Sequence, residues 1–258
     1  DVVGALVTTH KIDLYHAARD LFDEVDEVAQ LLGEVSCIAR RDGRLLGWAK
    51  DPVSAGRALE EILDPAYFSQ TGGEVLCFGA GGAGTAITLY LLTQRGAEDR
   101  PGHITVTDLD PERLMRLEAL HRRLESGVQV EYIHGGDPLL GNELVARLPD
   151  HSIVVNATGM GKDRPGSPVS DAVRFPRGGI AWELNYRGEL RFLYQAWEQR
   201  AERDLRVEDG WAYFIFGWTA VMEEVFERPI TASEMTELAH AAAFARPPLP
   251  TSGPKGVT

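Results

Sequence analysis

Gly79, Ala80, Gly81, Gly82, Ala83 and Gly84 follow directly on an apolar run, Glu74-Val75-Leu76-Cys77-Phe78, and lead into a helix-like stretch over residues 85–95. A buried strand that breaks into glycines and then into a helix suits few folds. Gly79 fits the tight turn, Gly81 lets a pyrophosphate approach the backbone, and Gly84 lets the helix pack close on the strand. The unpaired amides and positive dipole end of the helix face the anion. Residues 103–107 read as the next strand, which ends in Asp108, with Asp110 two residues on. An acid there accepts the 2′- and 3′-hydroxyls of an adenosine ribose and repels a 2′-phosphate. The order strand, glycines, helix, strand, acid predicts dinucleotide binding. The two carboxylates favour NAD over NADP, while Arg113, a turn into the following helix, would suit NADP.

A chain of 258 residues allows two modest domains or one large one. The formal charge of −13 gives no nucleic-acid footprint. No apolar run approaches the length of a membrane span and no signal-peptide pattern is present, so a cytoplasmic location is the expectation. Cys37 and Cys77 fall in strand-like apolar runs, which predicts reduced, buried thiols and no metal site.

The pattern before residue 73 reads as a strand over 2–8 and helices over 13–22 and 26–32. The first of these helices carries Leu14, Ala17, Ala18 and Leu21 on one face, and Gly33 stops the second. A hairpin over 35–40 and 44–48 turns at Asp42-Gly43. A helix follows over 54–63, and Gln70-Thr71-Gly72-Gly73 marks a boundary. Beyond it, strands at 128–133, 153–156 and 179–184 alternate with helices at 111–126 and 142–148. Such alternation predicts an α/β fold, a doubly wound parallel (Rossmann-type) sheet with a second, smaller α/β substrate domain. Helices at 192–203 and 210–227 follow, and a last one opens on the capping box Thr231-Ala232-Ser233-Glu234, with Met235, Leu238 and Ala242 as its packing stripe. The expected division is a substrate and catalytic domain over 1–70, a dinucleotide domain over 71–207, helices over 208–245 packing back on the first, and a disordered tail over 246–258.

Lysine occurs only as Lys11, Lys50, Lys162 and Lys255, so each is a notable place for proton chemistry that arginine cannot perform. Oxidising a secondary alcohol needs a base for the hydroxyl proton while hydride leaves the carbon, and reduction needs an acid at the same spot. A lysine with an aspartate alongside meets both needs. The plainer reading of Lys11 and Asp51 is a surface lysine and an aspartate ahead of a helix.

Several segments stand in one order: Val7-Thr8-Thr9-His10-Lys11, Gly33-Glu34-Val35-Ser36, Gly47-Trp48-Ala49-Lys50-Asp51, the glycine run, Asn156-Ala157-Thr158-Gly159-Met160-Gly161, Glu183-Leu184-Asn185-Tyr186, and residues 210–217. In this the chain resembles the shikimate/quinate dehydrogenases, from Ala5 to Phe226. The resemblance implies that Lys11 and Asp51 are catalytic. It implies that Asn156, Ala157, Thr158, Gly159, Met160, Leu184 and Gly210 join the glycine run, Asp108 and Asp110 in holding the dinucleotide. It also puts Val7, Ser36, Tyr186 and Gly217 at substrate-binding positions.

The departures from the family matter as much. Its threonine is Val7, its substrate asparagine Ser36, its Asn-Thr pair Ala49-Lys50, its glutamine Gly217, its proline Thr9 and its aspartate Glu183. A serine pair from the first part of its substrate domain has no counterpart, because this chain begins later, on Asp rather than Met. The catalytic pair is kept while the hydroxyl-reading shell is largely stripped, and Trp48, Trp211, Tyr213, Phe214, Phe216 and Trp218 crowd the same segments. The expectation is an NAD-dependent oxidoreductase whose small-molecule substrate is a secondary alcohol or ketone other than shikimate, larger or less hydroxylated than it. A quinate/shikimate dehydrogenase with a rebuilt shell and a dinucleotide-binding sensor without catalysis are the alternatives.

Overall fold

The computed structural model describes residues 2–8 and 10–246. The chain forms two compact units. One combines the residues up to Ala58 with Tyr213–Ala245, and the other is Leu59–Ala212. The change of unit falls at Ala58, inside a helix, rather than at the glycines near residue 72. The last turn of that helix belongs with the second unit, where Glu60 accepts from Tyr90 Oη at 2.7 Å and Arg206 Nη1 donates to the Ile62 carbonyl at 2.6 Å.

The first unit opens with β1 (Gly4–Leu6), α1 (Lys11–Ala18), β2 (Glu24–Val25), α2 (Glu27–Leu32), β3 (Cys37–Arg41), β4 (Arg44–Trp48) and α3 (Asp51–Ile62). Its sheet has the order β1-β3-β4-β2. β3 is antiparallel to both β1 and β4, and β2 is parallel to β4. Asp26 caps α2 by accepting from Ala29 N at 2.8 Å, and Gly33 closes that helix at φ 64°. Asp42 and Gly43, at φ 51° and 79°, make the hairpin turn. Phe22, Val25, Ala29, Val35 and Ala49 form the core.

Three expectations for this unit change. The first strand spans Gly4–Leu6 instead of 2–8, because Val2 and Val3 are solvent-exposed. α1 starts at Lys11, after His10 in a left-handed conformation at φ 54°. It buries no residue, and Leu21 of the expected stripe is 70% exposed. α3 starts at Asp51 rather than Ser54, since the Lys50 carbonyl already accepts from Ser54 N at 3.0 Å. Pro52 fits that first turn because its missing N–H has no helical partner to lose.

The second unit continues with α4 (Tyr67–Thr71), β5 (Val75–Phe78), α5 (Gly82–Leu89), β6 (His103–Asp108), α6 (Pro111–His121), β7 (Gln129–His134), α7 (Pro138–Arg147), β8 (Ile153–Asn156), β9 (Ile180–Glu183), α8 (Arg191–Arg203) and β10 (Arg206–Glu208). The six strands are parallel in the order β10-β9-β8-β5-β6-β7, the doubly wound arrangement. The order reverses between β5 and β8, and the glycine turn leaves β5 at that point. Leu76, Phe78, Val154, Ala181 and Phe192 pack in its core. α4 and β10 are absent from the sequence reading, being too short for a periodic signal. α9 (Trp211–Val225) and α10 (Ala232–Ala243) end the described chain. The capping box at Thr231 forms, but α10 has no buried residue, so Met235, Leu238 and Ala242 are a half-buried stripe rather than core. Arg246, placed by sequence at the head of a disordered tail, pairs with Asp209 and lies 5.7 Å over the Trp211 ring. The rest of that expected tail lies outside the described residues. Cys37 and Cys77 are free and buried.

A Cβ at Gly84 would stand 1.9 Å from the Gly79 carbonyl oxygen, whereas one at Gly102 would meet nothing within 4 Å. Gly84→Ala should therefore lower the melting temperature by about 5–10 °C, as overpacking costs ~1–3 kcal/mol or more. Gly102→Ala should change it little. Equal melting temperatures in the two variants would show that β5 and α5 are not in the close contact described.

Candidate active site

In the first unit, Lys11 Nζ donates directly to Asp51 Oδ2. Both side chains are largely covered, at 20% and 13% exposure. The sheet explains the meeting. β3 is antiparallel to both neighbours, so the ends of β1 and β4 lie beside its beginning. α1 and α3 start there, at Lys11 and Asp51. An ammonium held against a carboxylate at a sheet edge has the parts of a proton donor and acceptor.

A third ionisable group stands at the same edge. Glu34 follows the left-handed Gly33, is 4% exposed, and has a buried Oε1 with no hydrogen-bond partner. Burial first, and then the Asp51 carboxylate, push its carboxyl from 4.5 up to about 7, against the pull of Lys11. The Tyr213 phenol of α9 is held well above its ordinary value by burial, then by Asp51 and Glu34. Sequence reading gave Glu34 no role: nothing in the Gly-Glu-Val-Ser run signals that it is buried.

The substrate positions expected in this unit differ in character. The Val7 amide donates to the Ser36 carbonyl at 2.9 Å, and Ser36, fully buried, accepts from Lys50 N through Oγ at 2.7 Å. Ser36 thus braces the edge that carries the pair. A Cβ at Gly217 would meet nothing nearer than Ser54 Oγ at 4.0 Å, so that position is open. Lys50 pairs with Glu224. Of the crowded aromatics here, Phe216 is core and Trp218 is 45% exposed.

In the second unit a cavity of about 370 Å³ opens beside the glycine turn, lined by Gly79, Gly81, Asp108, Arg113, Thr158 and Met160 among others. Gly79 turns at φ 106°, and a Cβ there would stand 2.6 Å from the Ala157 carbonyl. At Gly81 the nearest atom would be Arg113 Nη1 at 3.9 Å, so its backbone is open to a ligand. Gly82, Ala83 and Gly84 form the first turn of α5. This cradle of glycines, amides and a facing carboxylate fits a dinucleotide. Asp108 Oδ2 accepts from Ala80 N at 2.7 Å and Oδ1 from Asp110 N at 2.9 Å, which fixes the carboxylate on the turn. Asp110 caps α6 through Glu112 N at 2.9 Å and lies 3.5 Å from Arg113. Gly135, Gly136 and Asp137, which sequence reading left unassigned, line the far wall. The doubled glycine after β7 was their visible signal.

The loop after β8 is organised from below. Glu183, fully buried, accepts from Asn156 Nδ2 at 2.7 Å and from Asn185 N and Nδ2 at 2.8 and 2.7 Å. Burial nonetheless pushes its carboxyl up to about 8. Asn156 Oδ1 accepts from Thr158 Oγ1 at 2.7 Å, and Met160 O accepts from Asn185 Nδ2 at 2.9 Å, so Ala157 and Gly159 are fixed between tethered neighbours. The Leu184 carbonyl packs on Gly210, where a Cβ would stand 1.8 Å away. Tyr186 meets Trp211 edge to face at 5.5 Å. Among the described residues no cluster of His, Cys, Asp or Glu has the makings of a metal site, and no helix is long and apolar enough to cross a membrane.

Known proteins share this architecture. Over 203 residues the chain is 34% identical to a shikimate dehydrogenase (NADP(+)) of Salinibacter ruber, covering 75% of this chain and 64% of that one. It is 30% identical over 217 residues to the shikimate dehydrogenase (NADP(+)) of Pyrococcus furiosus, covering 73% and 70%. The chain spans 58%, 64% and 54% of the length of three such relatives. Among solved structures, the Thermus thermophilus shikimate 5-dehydrogenase in complex with NADP(H) and shikimate superposes with a TM-score of 0.66 at 26% identity, over 93% of this chain and 78% of that one. No family model matches the chain.

The raised carboxyl of Glu34 makes stability depend on pH. The folded chain keeps a proton there that the unfolded chain releases, so this contribution is full below about pH 4.5 and is lost as pH rises through about 7. The unfolding free energy of Glu34→Gln relative to the parent, from urea curves, should be higher at about pH 8 than at about pH 5, by roughly 2–3 kcal/mol. A difference independent of pH would mean that the Glu34 carboxyl is solvated.

Proposed function

This chain belongs to the shikimate dehydrogenase family, and from that membership we propose an NAD-preferring oxidoreductase that moves hydride between nicotinamide and a secondary alcohol or ketone. The Lys11–Asp51 hydrogen bond carries the reading. Bound nicotinamide would supply the hydride acceptor or donor. Lys11 takes the carbinol proton in oxidation and returns it to the carbonyl oxygen in reduction, while Asp51 holds the lysine in place. The parallel-sheet unit supplies the dinucleotide cradle and the first unit supplies the acid–base pair.

The relatives are named for shikimate, a ring with several hydroxyls. Here Val7 and Ala49 have no side-chain hydrogen-bonding group, Gly217 has no side chain, and Ser36 is occupied with Lys50. Each hydroxyl desolvated without a partner costs about 1–3 kcal/mol. We therefore assign a larger or less hydroxylated alcohol than shikimate. The test is a panel of cyclic hydroxy acids and polyols followed by nicotinamide absorbance. Shikimate should be turned over negligibly. On whichever compound is turned over, Lys11→Ala and Asp51→Ala should each lower turnover by about a hundredfold or more with dinucleotide affinity nearly unchanged. Lys11→Arg should be almost as poor, because it keeps the charge and loses the exchangeable proton. An active Lys11→Arg protein would reduce Lys11 to a fixed charge.

The relatives are also named for NADP(+), and in this chain a carboxylate is fixed on the glycine turn. Asp108 favours ribose hydroxyls over a 2′-phosphate. NAD should bind at least about tenfold more tightly than NADP, or ~1.4 kcal/mol. Asp108→Ser should narrow that ratio in fluorescence titrations. Equal affinities in the parent would remove Asp108 from the ribose.

A further inference from the structure

We propose that Glu34 is a third member of the Lys11–Asp51 group, a positioning residue whose carboxyl sets the charge that the Lys11 ammonium faces. Three observations carry it. β3 lies between β1 and β4 and is antiparallel to both, so the approach to β3 comes to the same sheet edge as the two chain segments that bear Lys11 and Asp51. Glu34 is 4% exposed, and its buried Oε1 has no hydrogen-bond partner. A buried acceptor left without a partner is costly, and a chain keeps one where the group does something. Its electrostatic neighbours are the pair itself, Asp51 pushing its carboxyl up and Lys11 pulling it down. Tyr213 of α9 feels both Asp51 and Glu34. His16 of α1, on the exposed side, reaches toward Gly33.

The consequence has a definite sign. With Glu34 protonated, the ammonium faces one carboxylate, that of Asp51. With Glu34 ionised it faces two, and giving up its proton costs more. The change falls near neutral pH, where the Glu34 carboxyl has been pushed. Reduction, which consumes the ammonium proton, and oxidation, which needs the free amine, are therefore weighted differently on the two sides of neutrality.

The test uses the full chain labelled with ¹³Cε-lysine. The chain has only four lysines, Lys11, Lys50, Lys162 and Lys255, so each resonance is assignable, Lys11 by its loss in Lys11→Arg. Between about pH 5 and about pH 9 the Lys11 resonance should show a step near neutrality in the parent. The step should vanish in Glu34→Gln and persist, displaced, in Glu34→Asp. A flat Lys11 resonance in the parent overturns the proposal, and that measurement needs no variant of Glu34 to fold. A step that survives unchanged in Glu34→Gln also overturns it. The kinetic arm rests on the dehydrogenase reading. Glu34→Gln should raise the ratio of alcohol-oxidation rates at about pH 8.5 and about pH 6 by about threefold or more, with KM nearly unchanged. A loss of rate equal at both pH values would mark a structural role and overturn the proposal. A neutral step with no alcohol turned over would overturn the dehydrogenase reading alone. Turnover with no step would overturn the role of Glu34 alone.

Discussion

The antiparallel pairing of β3 with both β1 and β4 is the constraint from which the first unit's chemistry follows. Two neighbours running against one central strand must finish beside its start, so whatever follows each of them is delivered to one edge. The chain spends that edge on Lys11, Asp51 and Glu34, residues far apart in sequence. Ser36 stiffens it, with its amide bonded to Trp48 O and its carbonyl to Val7 N, both at 2.9 Å. Hydrogen bonds on both sides of one residue fix the spacing of the outer strands, and through it the reach of the lysine to the aspartate.

A different constraint governs the second unit. β5 and α5 approach until Gly84 lies against the Gly79 carbonyl, a distance at which no side chain fits. The Ala80 amide is already bonded to Asp108, so the carboxylate at the end of β6 is fixed by the turn it faces. Asp108 therefore combines two tasks. It braces the turn, and it sets a negative charge at the cavity wall. Exchanging it for arginine would release the Ala80 amide.

The parallel sheet was legible in the sequence because each of its longer elements carries a local signal. β5 and β8 are apolar runs and β6 is rich in β-branched residues, each bounded by glycine, aspartate or asparagine, and α6 carries a Pro after its capping Asp110. Lys11 and Asp51 were legible only through motif order, since nothing local distinguishes them from a surface lysine and a helix-starting acid. What escaped was set by pairing rather than by pattern. α1 begins at Lys11 through a left-handed His10 that no propensity predicts. Leu21 satisfies a helical stripe yet stays exposed, because the helix gives way to a 3₁₀ turn over Arg19–Leu21. Glu34 is 4% exposed, and nothing in its own stretch of sequence announces that burial.

The two buried glutamates show how much hydrogen-bond inventory decides. Glu183 and Glu34 are comparably removed from water, and burial raises both carboxyls, to about 8 and about 7. Glu183 accepts three N–H bonds from two asparagines, and those same asparagines hold Met160 O and the Thr158 hydroxyl. Its carboxyl is fully used in shaping the loop after β8, and removing it would loosen a turn that lines the cavity. Glu34 has no such set of donors: its Oε1 is left without a partner, and the groups that move its proton are an ammonium and a carboxylate in contact with each other. A buried acid surrounded by donors is a scaffold, because its bonds would all be lost together. One placed at the edge that carries an ion pair, with an atom to spare, responds to the charge of that pair.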